Sequence, residues 1–140
     1  MTVRLVPKVK ATIISPGTEL SFLYTCEETI PNKCPVAKSE TTGRILQAQA
    51  SDITRMPCFG FTIESGEAGE SVKVVSIGTL TDVPRDADFS ADDAIYVSTN
   101  KGKLSKTASE AVGTFVQSVG RAVNTSDIII AVDMTMVEIA

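Results

Sequence analysis

The chain has 140 residues, of which 43% are hydrophobic and 21% charged, a composition typical of a folded protein with one core and not of a disordered chain. Its formal net charge of −4 argues against a nucleic-acid-binding protein, which needs a basic face. The absence of histidine removes Ser-His-Asp and Cys-His nucleophile systems, together with the commonest zinc ligand.

The first element is a basic amino-terminal segment, residues 1–10. Arg4, Lys8 and Lys10 give it a charge of +3, so the other 130 residues carry −7. Pro7 cannot donate to a β-ladder, which fits either an edge strand or an arm. A basic arm on an acidic body could bind a neighbouring subunit by strand addition. The open alternative is a first strand packed on the body, with its lysines in solvent.

Strand patterns dominate the rest of the chain. The runs are short and rich in β-branched residues, and turn-forming clusters separate them. They are Leu20–Thr25, Val72–Leu80, Ala94–Ser98, Gly113–Val123 and Ile128–Ile139. Apolar and polar residues alternate in the last run, which indicates one half-buried antiparallel strand. Only Ser105–Val112 and Phe89–Ala94 leave room for a short helical turn, so we predict a mainly β protein, a small antiparallel barrel or sandwich.

Two stretches, about residues 34–80 and 93–134, repeat one order of features. Each has a short apolar strand, a turn that ends in a glycine (Gly43 or Gly102) and a later glycine (Gly60 or Gly120). We expect the first glycine to supply a positive φ in a hairpin turn and the second to mark a bulge or a close backbone approach. Two such units could close on each other as a barrel or sandwich. The alternative is that this pattern follows turns in any β protein.

The predicted organisation is therefore an amino-terminal arm with the first strands, residues 1–33, followed by a β core, residues 34–140. The sequence DVPRDADFSADD, which lies between the two repeats, is the main candidate for a metal site. Its spacing resembles a calcium loop that starts at Asp86, but Ala91 stands in place of the required glycine and Val97 in place of the final acid. A solvated acidic loop is the better interpretation, and we expect no metal or other cofactor.

Further signals concern location and chemistry. Cys26, Cys34 and Cys58 form no C-x-x-C pair, which suits free thiols in a reducing cytoplasm. The longest apolar run, about residues 128–132, is too short to cross a bilayer, and residues 1–10 lack the features of a signal peptide. With few aromatic residues for a sugar platform and no nucleophile system, we assign no catalytic residues and do not expect an enzyme.

The order of these motifs resembles that of the small capsid decoration (cement) proteins of tailed bacteriophages. The matching segments are Pro35–Val36, Thr42–Ala48, Gly60, Ala68–Leu80, Ala94–Leu104 and Val116–Ala122. The likeness covers about residues 34–134 and leaves the first 33 residues outside it.

The resemblance implies a non-enzymatic virion protein, made in the host cytoplasm, that binds the major capsid protein on the outer surface of the shell. Such proteins are typically homotrimers and stabilise the expanded capsid, without contact with nucleic acid or membrane. From the charge pattern, we expect Arg4, Lys8 and Lys10 to contact the capsid or a neighbouring subunit. The alternative function is a head-fibre or tail-associated structural component.

Overall fold

The computed structural model describes residues 21–140. The predicted interface residues Arg4, Lys8 and Lys10 therefore lie outside the described residues. Over residues 21–140 the chain consists of strands and loops, with one helical element, a 3₁₀ turn at Ile53–Arg55. The prediction of a mainly β protein with antiparallel strands is confirmed.

Five strands form the first sheet. They are β1 (Ser21–Thr25), β2 (Pro35–Lys38), β3 (Ile45–Gln47), β4 (Cys58–Thr62) and β5 (Ser71–Val75). Their order in the sheet is β1-β5-β4-β2-β3. The segment that joins β1 to β2 covers one face of this sheet, where Cys26, Ile30 and Cys34 are fully buried against Val36 and Val72.

The second sheet has the same topology. Its strands are β6 (Ile77–Leu80), β7 (Ala94–Val97), β8 (Leu104–Ser105), β10 (Ser118–Ala122) and β11 (Ile128–Ala131). Their order is β6-β11-β10-β7-β8, which repeats the first sheet strand by strand. Two short strands outside the repeat, β9 (Phe115–Val116) and β12 (Val137–Glu138), pair with each other.

The likeness extends to the irregularities of the two sheets. The pairing of β2 with β4 shifts register at Gly60 and leaves Phe59 unpaired, and the pairing of β7 with β10 shifts at Gly120 and leaves Val119 unpaired. These are the same one-residue bulge in the same place. We call residues 21–75 unit 1 and residues 77–131 unit 2; β1 of unit 1 lies within the segment assigned from sequence to the arm and first strands.

One further pairing is repeated. A single parallel bridge joins Cys26 to Ile45 in unit 1, and an equivalent bridge joins Arg85 to Leu104 in unit 2. In unit 1 the N–H of Glu27 then donates to the Ile45 carbonyl (2.9 Å), and in unit 2 the N–H of Asp86 donates to the Leu104 carbonyl (3.0 Å). The two five-stranded sheets remain open, and the described residues form no closed barrel.

The main core lies between the two sheets, in a sandwich-like arrangement. Unit 1 contributes Phe61 and Val75, and unit 2 contributes Val97, Val119 and Ile130, all of them buried. Burial of apolar surface is the dominant stabilising contribution in such a core. The joining segment covers part of the opposite face, so the centre of the first sheet is buried on both faces, whereas Phe22 on the edge strand β1 stays exposed.

Two predicted strands are interrupted where the fold changes direction. The run Val72–Leu80 divides at Ser76, so that β5 and β6 belong to different sheets. The run Gly113–Val123 divides at Gln117, whose side chain enters the core.

The predicted strand Ile128–Ile139 is also wrong in extent, since β11 ends at Ala131. The N–H of Asp133 donates to the Ser118 carbonyl (3.0 Å), and its carboxylate accepts from the Thr135 N–H (3.0 Å). The first bond still ties the chain to the start of β10, and the second is a local contact between residues that belong to no strand. The two short helical turns predicted from sequence are loops.

A partly buried ion pair fixes the segment between β1 and β2. Arg55 Nη1 donates to Glu28 Oε2 (2.7 Å) and Nη2 to Oε1 (2.9 Å), while the Gln47 N–H donates to Oε2 (2.9 Å). Burial acts to raise the pKa of Glu28, but these hydrogen bonds and the charge of Arg55 outweigh it and leave the pKa lowered. The carboxylate therefore stabilises the fold in its ionised form.

We expect Glu28→Gln to lower the free energy of unfolding by roughly 1–2 kcal/mol at pH 7, because it weakens a charge-assisted hydrogen-bonded pair. A lowered pKa in the folded state means that this stabilisation is present above the unfolded pKa, about 4.3, and is lost as the pH falls through the folded value. Urea unfolding at pH 7 and pH 3 checks it, with the exposed Glu40→Gln as control. A difference from wild type that is the same at both pH values would contradict it.

Candidate functional site

The acidic loop lines an open cleft of about 580 Å³. Arg85 lies at its centre and donates through Nη1 to Asp82 Oδ1 (3.1 Å) and through Nε to Asp88 Oδ1 (3.0 Å). Hydrogen bonds to these two carboxylates raise the pKa of Arg85. Both acids that face this part of the cleft are thus held in ion pairs.

Two other carboxylates of the loop accept hydrogen bonds from uncharged groups and form no ion pair with Arg85. Asp86 accepts from the Ser98 hydroxyl and from Asn100 Nδ2, and Asp93 accepts from the Ser90 N–H (2.8 Å). Nowhere in residues 21–140 do three or more histidine, cysteine or acidic side chains converge as a metal ion requires. The geometry is that of an ion-paired surface loop that caps unit 2.

The three cysteines are buried free thiols. Burial raises the pKa of Cys58 to about 12 and also raises that of Cys34. Both side chains therefore remain protonated near neutral pH, and each packs as a small apolar residue.

The first exposed surface that suits binding is on unit 1. We call it the aromatic patch, and it consists of Phe22, Tyr24 and Phe59, which line a shallow cavity of about 150 Å³, together with the neighbouring Lys38. The rings of Tyr24 and Phe59 meet edge to face with centroids 5.1 Å apart, and Lys38 Nζ lies 5.4 Å and 5.5 Å from the two centroids. Phe22 is 66% exposed. A cation therefore already sits over two rings beside an uncovered aromatic side chain.

The second exposed surface is on the outer face of unit 2. We call it the isoleucine face, and it consists of Ile77, Thr79, Arg121, Val123 and Ile129. Ile129 on β11 pairs with Thr79 on one side and with Arg121 on the other. The three apolar members are each between 44% and 50% exposed. Grouped apolar side chains on a sheet face are typical of an interaction surface.

The sequence-predicted residues divide into two groups. Arg4, Lys8 and Lys10 lie outside the described residues. Gly43 and Gly102 have φ values of +73° and +76° in equivalent turns, whereas Gly60 and Gly120 lie at the two bulges described above. Sequence reasoning missed both exposed surfaces. The available signal was the run of three isoleucines at 128–130, which places an apolar side chain on each face of one strand.

Across residues 21–140, the structure contains no helix that is long and apolar enough to cross a membrane. No model of a known protein family matches the chain, and neither does any curated protein. The functional hypothesis therefore depends on the sequence motifs and on the two exposed surfaces.

Proposed function

We propose that the protein is a structural component of a tailed-bacteriophage virion that binds the outer surface of the capsid shell and stabilises it. The proposal is supported by the order of the sequence motifs, which resembles that of decoration proteins. The motifs coincide with strands of both units. Pro35–Val36 begins β2, Thr42–Ala48 spans the hairpin turn and β3, and Val116–Ala122 includes β10. The resemblance therefore involves strands of both units and not one local site, although β1 lies outside it.

The surfaces described above support a role in adhesion. Phe22 on unit 1 and Ile77 and Ile129 on unit 2 are large apolar side chains left in solvent by the folded chain. A protein whose task is to bind other proteins gains affinity by covering such residues. The proposed partners are the major capsid protein and further copies of this chain, as a homotrimer.

Repetition over a lattice strengthens weak contacts. When several subunits of one oligomer engage the shell together, each later contact is intramolecular and raises the overall affinity. Stabilisation of the shell then follows from mass action, because binding to the expanded state favours that state. The proposed function therefore requires only modest affinity from each surface.

The test uses particles of the encoding phage assembled without this protein. We expect the purified full chain to co-sediment with expanded heads, to give density on the outer shell in electron microscopy and to raise the temperature at which the heads release DNA. Absence of binding to heads would contradict the proposal. Binding confined to tails or to fibre attachment points would favour the alternative structural role.

The basic arm gives a further expected result. Deletion of residues 2–10 should lower head occupancy at low ionic strength and reduce its dependence on salt, because a +3 segment attracts an acidic surface through screened charge interactions. A full-length variant with glutamine at the three basic positions separates loss of charge from loss of chain length. Occupancy that is unchanged at both low and high salt would contradict a role for the arm.

A further inference from the structure

The contact between the two units uses a different face of each. Unit 1 contributes the face of its sheet that lies opposite the segment joining β1 to β2. This face includes Phe61 and Val75, which are 0% and 2% exposed. Unit 2 contributes the other face, the one that corresponds to the side of the joining segment in unit 1, through Val97, Val119 and Ile130. Two equivalent bodies that meet through non-equivalent faces form a heterologous, head-to-tail contact. Among residues 21–140, such a contact leaves the second face of unit 2, and part of the second face of unit 1, without a covering unit.

The unused face of unit 2 is the isoleucine face. In unit 1, Phe61 follows Gly60 and pairs with Val75; in unit 2, Arg121 follows the equivalent glycine and pairs with Ile129. The first pair is buried against unit 2, whereas the second pair faces solvent. In the described part of the chain, the face of unit 2 that corresponds to the contact face of unit 1 is therefore exposed.

The unused face of unit 1 is the aromatic patch. Phe59 is the bulged residue equivalent to Val119, and Lys38 ends β2 as Val97 ends β7. Val97 and Val119 belong to the core between the sheets, whereas Phe59 packs only against the cluster within unit 1, next to Tyr24. Within residues 21–140, the part of this face that the joining segment leaves uncovered in unit 1 is therefore the part through which unit 2 makes the internal contact.

We propose that a second copy of this chain binds head to tail, with the isoleucine face of one copy on the aromatic patch of the next. The intermolecular contact would repeat the contact that already joins the two units within each chain. This inference names the interface of the proposed homotrimer and depends on the proposed function only for the number of copies. Three copies joined in this way would form a closed ring of six units.

The apolar parts of the two faces are complementary, since Ile77 and Ile129 supply apolar area against Phe22 and the rings of Tyr24 and Phe59. Arg121 brings a second positive charge toward Lys38, which lies over those rings, and this repulsion weakens the contact. The contact is more polar than the internal one, because Arg121 and Lys38 occupy the places of Phe61 and Val97. We therefore expect reversible association that depends on concentration.

Sedimentation of the purified full chain over a range of concentrations tests the interface without any capsid. We expect the mass to rise from one chain toward three, and Ile129→Glu and Phe22→Glu each to hold the protein at one chain. Val112→Glu is the matched control, since Val112 is 77% exposed and lies on neither face. Circular dichroism establishes that each variant is folded, and Ile77→Glu replaces Ile129→Glu if the latter is not.

Mixing the two variants makes the test specific for head-to-tail binding. Each variant retains one intact face, so an equimolar mixture should form dimers and nothing larger. Wild type that stays at one chain at every concentration, oligomers that survive both substitutions, or a mixture that stays monomeric would each overturn the interface. None of these outcomes concerns shell binding, which the particle experiment measures separately.

Discussion

Replacement of Gln117 by leucine is expected to lower the free energy of unfolding by about 3–4 kcal/mol. The Gln117 side chain is 1% exposed; its Oε1 accepts from the Cys58 N–H (2.7 Å), and its Nε2 donates to the carbonyls of Cys58 (2.7 Å) and Asp133 (2.8 Å). Leucine has a similar volume but leaves these three backbone groups without a partner. Equilibrium unfolding in urea, followed by circular dichroism, measures the loss.

The matched control is Gln49→Leu. Gln49 lies near the surface, where its Nε2 donates to the Thr99 carbonyl (3.0 Å). Water can replace that bond, so the control should cost less than about 1 kcal/mol. Equal costs for the two substitutions would mean that the buried hydrogen bonds of Gln117 contribute no more to stability than the bond of Gln49 near the surface.

The role of Gln117 could not be predicted from sequence. It lies inside a β-branched run that reads as one continuous strand, and its partners are 59 and 16 positions away in the chain. Periodicity reports which residues share a face of a strand, but it carries no information on which distant backbone groups need a partner. Only the packing of unit 1 on unit 2 reveals that need.

The division of Val72–Leu80 has a similar cause. The run has the composition of one strand, and the fold class predicted from such runs is confirmed. The break at Ser76 exists because the chain leaves one sheet and enters the other there. Local propensity is the same on both sides of that crossing, so the predicted strand was too long although its residues are mostly in strands.

The two exposed surfaces could not be predicted from the sequence for a related reason. Ile128, Ile129 and Ile130 are identical in type, yet the outer two are buried and the middle one is half-exposed. In unit 1, Val75 occupies the place of Ile129 and is buried, because unit 2 covers it. Whether an apolar residue of one unit is exposed depends on whether another unit packs on its face. The sequence of a single strand carries no information on that packing.

The bulge glycines show what could be predicted, and they give the second large expected effect. A Cβ atom at Gly60 would lie 2.7 Å from the Val75 carbonyl oxygen, and one at Gly120 would lie 2.7 Å from the Ile129 carbonyl oxygen. Because these oxygens belong to the backbone of the adjacent strand, alanine at either position must push two paired strands apart. We expect Gly60→Ala and Gly120→Ala each to lower the free energy of unfolding by about 3 kcal/mol.

Gly43→Ala separates this close approach from simple backbone preference. Gly43 has a φ of +73°, and nothing lies within 4 Å of a Cβ atom built there, so the cost is that of the left-handed backbone alone, about 1 kcal/mol. Urea unfolding of the three variants should therefore give two similar large losses and one small one. A large loss at only one bulge would mean that the two strand pairs tolerate separation differently, and that the shared topology of the units does not extend to their energetics.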